Sequence, residues 1–157
     1  MSSENYNLYF NGYWREPNIG GLPANSGIYC VYGCVYDSAK GEVSISKLIY
    51  IGESHNVQNR VANHEKWDEW RRKLMSGEQL CFNAALIGGE ADRQQAEAAM
   101  IHKHKPPCNS KYVDTFPYDQ TTIRTSGQNA RLHKYFTVHP TSSQGLMGIG
   151  YSGRSQW

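Results

Sequence analysis

Two tripeptides, Gly27-Ile28-Tyr29 and Tyr50-Ile51-Gly52, occur in that order and are followed by Arg60, His64, Glu97 and Asn109. Their side chains form a coherent chemical set. The planar, permanently charged arginine fork matches two non-bridging oxygens of a phosphate. A phenol titrates near ~10, so it takes a proton only when a positive charge or a hydrogen bond lowers its pKa. One carboxylate can suffice for Mg²⁺, which commonly keeps several waters and uses few protein ligands. Each residue alone has a plainer reading: a buried sheet tyrosine, a solvated helix arginine, a surface helix histidine. Hydrolysis of a phosphodiester needs an activated water, charge stabilisation and help for the leaving oxygen, and the set contains a candidate side-chain type for each.

The constellation resembles the GIY-YIG nuclease superfamily over roughly residues 26–112. The resemblance implies a metal-dependent DNA endonuclease that hydrolyses phosphodiester bonds. It makes Tyr29 the residue that takes the proton of the attacking water, and Tyr50 a partner of the scissile phosphate or of the other tyrosine. Arg60 grips the phosphate, and His64 accepts the phenolic proton or orients the ring. Glu97 becomes the single protein ligand of Mg²⁺ (or Mn²⁺), while Gly27, Gly52 and Asn109 give structural support. Glu90 is the rival acid, but at a helix start a carboxylate has the plain job of meeting the helix dipole.

Two features depart from the superfamily pattern. The tripeptides lie further apart than in most members, by about one long hairpin turn, and Glu53 stands where small or basic residues are more usual. Glu53 could add a second metal contact or simply repel phosphate. Short flanks favour a compact, stand-alone, restriction-type nuclease. The alternative is a repair or mobile-element nuclease, or a non-catalytic DNA-binding module that keeps the fold. Double-stranded DNA is the implied partner, contacted by Arg71, Arg72, Lys73, Lys103, Lys105 and Lys111. Solvated helix faces explain those charges equally well one by one. The oligomeric state stays open, a dimer among the options.

The elements that must hold these residues can be read from periodicity. Residues 27–36 are β-branched and aromatic, residues 37–42 have turn composition, and residues 43–51 alternate and then turn apolar. Together they predict an antiparallel hairpin. Asn56 is a candidate N-cap for one helix carrying Val57, Val61, Trp67, Trp70 and Leu74 on an apolar stripe, with Arg60 and His64 on one face. Gly77 ends it; residues 80–87 predict a third strand, and residues 90–105 a helix stopped by Pro106-Pro107. The order β-β-α-β-α predicts an α+β fold, a small three-stranded antiparallel sheet flanked by helices. Residues 1–25 read as an N-terminal extension with a short strand or hairpin, 26–112 as the catalytic core, and 113–157 as a C-terminal extension. That last segment carries a short helix near 129–136 and a flexible Gly/Ser-rich tail.

The 157 residues allow one domain with a real core, and a net charge of +2 does not announce nucleic acid by itself. DNA binding must then come from local patches and depend on salt. The 11 tyrosines and 4 tryptophans suit a β-rich core better than base stacking. The 4 cysteines, without a secretory leader, read as reduced thiols of a cytoplasmic protein. No stretch reaches the ~20 apolar residues of a membrane span. His102, His104 and Cys108 could supply three zinc ligands, with no obvious fourth.

Overall fold

The computed structural model describes residues 3–141. The chain opens with a long strand, β1 (Ser3–Arg15), in which Leu8 and Phe10 turn inward while Asn7 and Tyr9 face solvent. A 3₁₀ turn (Glu16–Gly21) leads to the hairpin β2 (Gly27–Asp37) and β3 (Glu42–Ser54). Gly41 closes its turn at φ 65°, a conformation that glycine adopts without strain. Two short helices follow, α1 (Val57–Ala62) and α2 (Trp67–Arg71), then strand β4 (Gln79–Leu86) and helix α3 (Glu90–His104). Strands β5 (Gln120–Gly127) and β6 (Tyr135–Val138) complete the order.

All six strands join one sheet in the order β3-β2-β4-β1-β5-β6. The β1–β5 pair is parallel and the other pairs are antiparallel. The expected small three-stranded antiparallel sheet flanked by helices is therefore incorrect: the sheet is six-stranded, mixed and curled, with few helices. The physical reason lies in β4. Leu80 through Ala85 are all buried, so β4 cannot serve as an exposed edge, and β1 occupies its second side. Polar Asn and Glu residues spaced through β1 hide its inward set from a composition reading.

Two other expectations also change. Positive φ at Gly127 and Arg131 turns the chain where a helix was expected near 129–136, and β6 forms instead. The predicted helix after Asn56 is two helices. Asn56 does cap the first, its side chain accepting from the Asn59 N–H at 3.0 Å, but Asn63 ends it. The Gly/Ser-rich tail, residues 142–157, lies outside the described residues.

Apolar side chains fill both faces of the sheet. On one, α3 contributes Ala96, Ala99, Met100 and Ile101 against Leu8, Phe10, Ile28 and Ile123. On the other, α1 and α2 contribute Val57, Val61 and Trp70 against Tyr29, Val31 and Phe82. The cysteines are free thiols, with the Sγ atoms of Cys34 and Cys81 2.6 Å apart across β2 and β4. No helix among the described residues is long and apolar enough to cross a membrane.

Buried Asn83 links three parts of the sheet. Its Oδ1 accepts from the Cys30 N–H (3.1 Å), and its Nδ2 donates to the Tyr32 hydroxyl (3.1 Å) and to the Gln128 carbonyl (2.8 Å). The Tyr32 hydroxyl in turn donates to the Ala130 carbonyl at 2.8 Å. Replacing Asn83 with Ala strands these groups without water. Asn83→Ala should lower stability by about 2–4 kcal/mol, measured by denaturant unfolding. A loss under about 0.5 kcal/mol would show that the network contributes little.

Candidate active site

Both tripeptides sit side by side on β2 and β3, with Tyr29 directly opposite Gly52. The hydroxyl end of the Tyr29 ring lies against Gly52, so that a Cβ at position 52 would collide with its hydroxyl and ring. Gly27 meets the Ala85 carbonyl of β4 equally closely. Each glycine thus has a steric reason: one makes room for the phenol, the other for the neighbouring strand.

Tyr29 is almost completely buried, and its ring lies 6.3 Å from that of Tyr50, centroid to centroid. Burial raises the Tyr29 pKa well above the ordinary phenol value. Tyr50, Glu97 and Glu53 push it further up, and Arg60 opposes them. Tyr50 is raised to about 12, again mainly by burial. Both side chains are therefore neutral phenols in the free protein.

His64 closes this wall. It lies beyond the end of α1, in the link to α2, and so does not share a helical face with Arg60 as the spacing predicts. Its ring is 5.3 Å from Tyr50, 4.6 Å from Trp70 and edge-on to Tyr29 at 6.4 Å. Burial, reinforced by Arg60, lowers its pKa to about 4, which leaves it neutral at pH 7. Nδ1 accepts the backbone N–H of Lys66 at 3.1 Å. That bond fixes the tautomer: the proton sits on Nε2, which is buried and has no protein partner. With that tautomer His64 is a donor at Nε2, which agrees with the expected ring-orienting alternative and not with acceptance of the phenolic proton.

Arg60 is half-exposed and already gripped. Its guanidinium donates to both Glu65 oxygens, at 2.9 and 3.1 Å, and holds that carboxyl down at about 2. A phosphate must displace Glu65 to use the same fork.

Glu97, on α3, lines a cleft of ≈ 140 Å³ with Tyr50, Lys66, Asn109, Lys111 and Tyr112. Burial and the nearby Glu53 raise its pKa to about 8, partly offset by Lys111 and Arg93. Glu53 itself is bound by the Arg93 guanidinium, which also donates to Ser26 Oγ at 2.9 Å. Its carboxylate is thereby engaged within the protein. Glu90 is exposed in the first turn of α3 and accepts from Gln94, 3.2 Å away. Asn109 fastens the loop after α3 to the open edge of β3: its Oδ1 accepts the Ile51 N–H and its Nδ2 donates to the Ile51 carbonyl, both at 3.0 Å.

No cluster of three or more His, Cys, Asp or Glu side chains suited to a metal occurs among the described residues. Glu97 is the carboxylate of this cleft that could hold a hydrated divalent cation, since a positive charge would relieve its buried carboxylate. The zinc arrangement does not fit. His104 has both ring nitrogens engaged, by the Met100 carbonyl and the His133 N–H.

The basic residues fall in different places. Lys111 lines the cleft and lies 4.9 Å from the Tyr112 ring. Arg71 pairs with Glu16 at 3.0 Å and stacks on Trp67, while Arg72, Lys73 and Lys103 are exposed. Lys105, at the left-handed cap of α3, bonds to the Val113 carbonyl. Sequence reasoning missed Lys66, which lines the cleft, and gave Trp70 only as part of an apolar stripe, whereas its ring lies 4.6 Å from that of His64.

The raised Glu97 pKa makes a stability prediction. A carboxyl whose folded pKa lies above its unfolded value costs nothing below about pH 4.5 and destabilises progressively as pH rises toward 8. Glu97→Gln should leave stability unchanged at pH 4.5 and raise it at pH 8.5, by an amount on the order of a few kcal/mol. Denaturant midpoints at both pH values check this, and parallel curves for variant and parent would contradict it.

No family model matches the chain, and no solved structure matches it. Two curated proteins are similar to part of it. One is UvrABC system protein C of Fervidobacterium nodosum, 31% identical over 99 residues, which cover 62% of this chain and 16% of that protein. The other is UvrABC system protein C of Thermosipho africanus, 31% identical over 75 residues, 46% of this chain and 14% of that protein. The chain is thus partially similar to UvrABC system protein C and spans about a sixth of its length.

Proposed function

We propose that this chain is a metal-dependent DNA endonuclease of the GIY-YIG type, related to repair nucleases. The observation that carries the reading is the convergence of Tyr29, Tyr50 and His64 in one aromatic wall, with Arg60 beside it and Glu97 in the adjoining cleft. The partial similarity to UvrABC system protein C supports the superfamily resemblance, and it favours the repair alternative over the restriction-type reading.

In this reading a scissile phosphate lies against Tyr50 and takes Arg60 from Glu65. Water attacks phosphorus, the bond to the 3′ oxygen breaks, and the water proton passes to Tyr29. For that transfer the phenol first gives its own proton to hydroxide from solvent, a loss that burial opposes, and the leaving 3′ oxygen takes a proton from solvent water, which restores the hydroxide. Arg60 acts in the favourable direction on both phenols. His64 donates its Nε2 proton to an oxygen at the aromatic wall, which orients the phosphate or stabilises a phenolate. A divalent cation on Glu97, when bound, neutralises charge at the phosphate and at the leaving oxygen. Lys111 and Lys66 line the same cleft and add positive charge beside it.

The test is cleavage of supercoiled plasmid with Mg²⁺ or Mn²⁺ and in EDTA. The parent should nick or linearise DNA only with metal. Glu97→Ala should lose activity while remaining folded. Activity that persists in EDTA or in Glu97→Ala would remove the metal assignment, and DNA binding without any cutting would favour the non-catalytic module.

Two further substitutions divide the labour. Arg60→Lys keeps the charge but loses the bidentate grip, so turnover should fall at least tenfold with a smaller change in DNA affinity. Tyr29→Phe keeps the ring against Gly52 and removes the hydroxyl, so cleavage should be nearly abolished. Near-normal rates from Tyr29→Phe would move the proton-accepting role elsewhere.

A further inference from the structure

The sheet face that carries Tyr29 does not stop at β4. Paired residues project to the same side of a sheet, and Tyr29 pairs with Ala84, which pairs with Asn11. From Asn11 this side continues along β1 through Tyr9 and Asn7, crosses to Arg124 of β5 and reaches Tyr135 of β6. Helix α3 covers the opposite side of these strands. On the Tyr29 side, α1 and α2 cover the β2–β4 region. On that side the 3₁₀ turn reaches Trp14 of β1, and no described element covers residues 7–11 of β1, β5 or β6. Tyr9 is 62% exposed, Tyr135 57%, and Leu86, two residues along from Ala84, 53%.

We infer that this open face binds an unpaired stretch of the DNA strand that enters or leaves the tyrosine wall. Two exposed aromatic rings on an open sheet face offer stacking surfaces that only unpaired bases can use, because paired bases keep their faces inside the duplex. Strand spacing and rise put Tyr9 and Tyr135 ~12 Å apart, too far for one base to cover both, so each ring serves its own base. Arg124 lies 4.2 Å from the Tyr135 ring centroid, stacked on it, with its N–H fork available to a phosphate. Asn7 and Asn11 supply both donors and acceptors for base edges.

The charge pattern selects the same partner. Among the described residues of β1, β5 and β6, no Asp or Glu projects to this side; Glu4 belongs to the other one, paired with buried Thr121. Arg124 is therefore the formal charge on this part of the face, and its sign suits a polyanion. Basic residues on α2 and α3 are a separate set and play no part in this argument. The inference rests on the nuclease reading for the identity of the partner and for its continuity with the site.

The test is binding of a short fluorescein-labelled oligothymidylate and of a duplex of equal length, by fluorescence anisotropy in EDTA. Parent protein, Arg124→Ala and the double variant Tyr9→Ala/Tyr135→Ala are compared, with thermal unfolding to confirm that each is folded. The double variant should lose at least tenfold in affinity for the single strand, and Arg124→Ala a smaller factor with a weaker salt dependence. Duplex affinity should change little. Unchanged single-strand affinity in folded variants overturns the inference, as does a parent that ignores the oligothymidylate. A parent that sediments as a dimer and is dissociated by the tyrosine substitutions assigns the face to a second copy and overturns it too. Failure of the nuclease reading looks different: the parent binds the oligonucleotide through Tyr9 and Tyr135 yet cuts no plasmid.

Discussion

Strand β4 is hydrogen-bonded along both edges, to β2 on one side and to β1 on the other. A strand whose side chains are buried on both faces cannot leave a row of backbone groups bare, because each unpaired buried N–H or C=O costs about as much as a lost hydrogen bond. That requirement draws β1 into the sheet, and β1 then provides the edge on which β5 and β6 are built. Asn83, in the middle of β4, adds side-chain bonds from this central strand to β2 and to the turn before β6. The candidate site hangs from the same scaffold, since Gly27 lets β2 lie close against β4, and β2 holds Tyr29 opposite Gly52 of β3.

The site is built from neutral groups held away from their comfortable ionisation states. Tyr29 and Tyr50 are kept as phenols, His64 as a neutral imidazole, and Glu97 near the midpoint of its titration at mildly alkaline pH. Charges close by are mostly spoken for: Glu53 by Arg93 and Glu65 by Arg60. Such a wall is electrostatically quiet in isolation and responds strongly to the arrival of a charge, because the low-dielectric surroundings amplify any new field. Departure of Glu65 from Arg60 is one such change, and it exposes a full positive charge beside both phenols.

Much of this was legible in the sequence, for reasons that differ by element. The hairpin, β4 and α3 announce themselves by long apolar or alanine-rich runs, and Asn56 by its position before a helical stripe. The central role of β1 was not legible, because its inward residues Tyr6, Leu8 and Phe10 are interleaved with asparagines, and the segment reads as a short strand or hairpin of an extension. Order and spacing picked out Tyr29, Tyr50 and His64, which meet in space. They could not show that Asn63 breaks the helix, nor that a backbone N–H two residues downstream decides which imidazole nitrogen carries the proton. Tautomers, competing ion pairs and raised carboxyls are properties of three-dimensional neighbours, and periodicity carries no information about them.

The parallel pairing of β1 with β5 joins Ser3 to Gln120, and Phe10 to Gly127. Strand β1 must therefore wait for β5, which follows the hairpin, β4 and α3 in the chain, before its outer edge is satisfied. Contacts of such long sequence separation are costly in chain entropy and slow to form. During synthesis the hairpin can form early, while β1 either docks on β4 with its far edge open or stays unpaired. A nascent chain in that state exposes a long strand edge bearing Tyr9, which makes the interval before β5 emerges the period of greatest risk of misassembly.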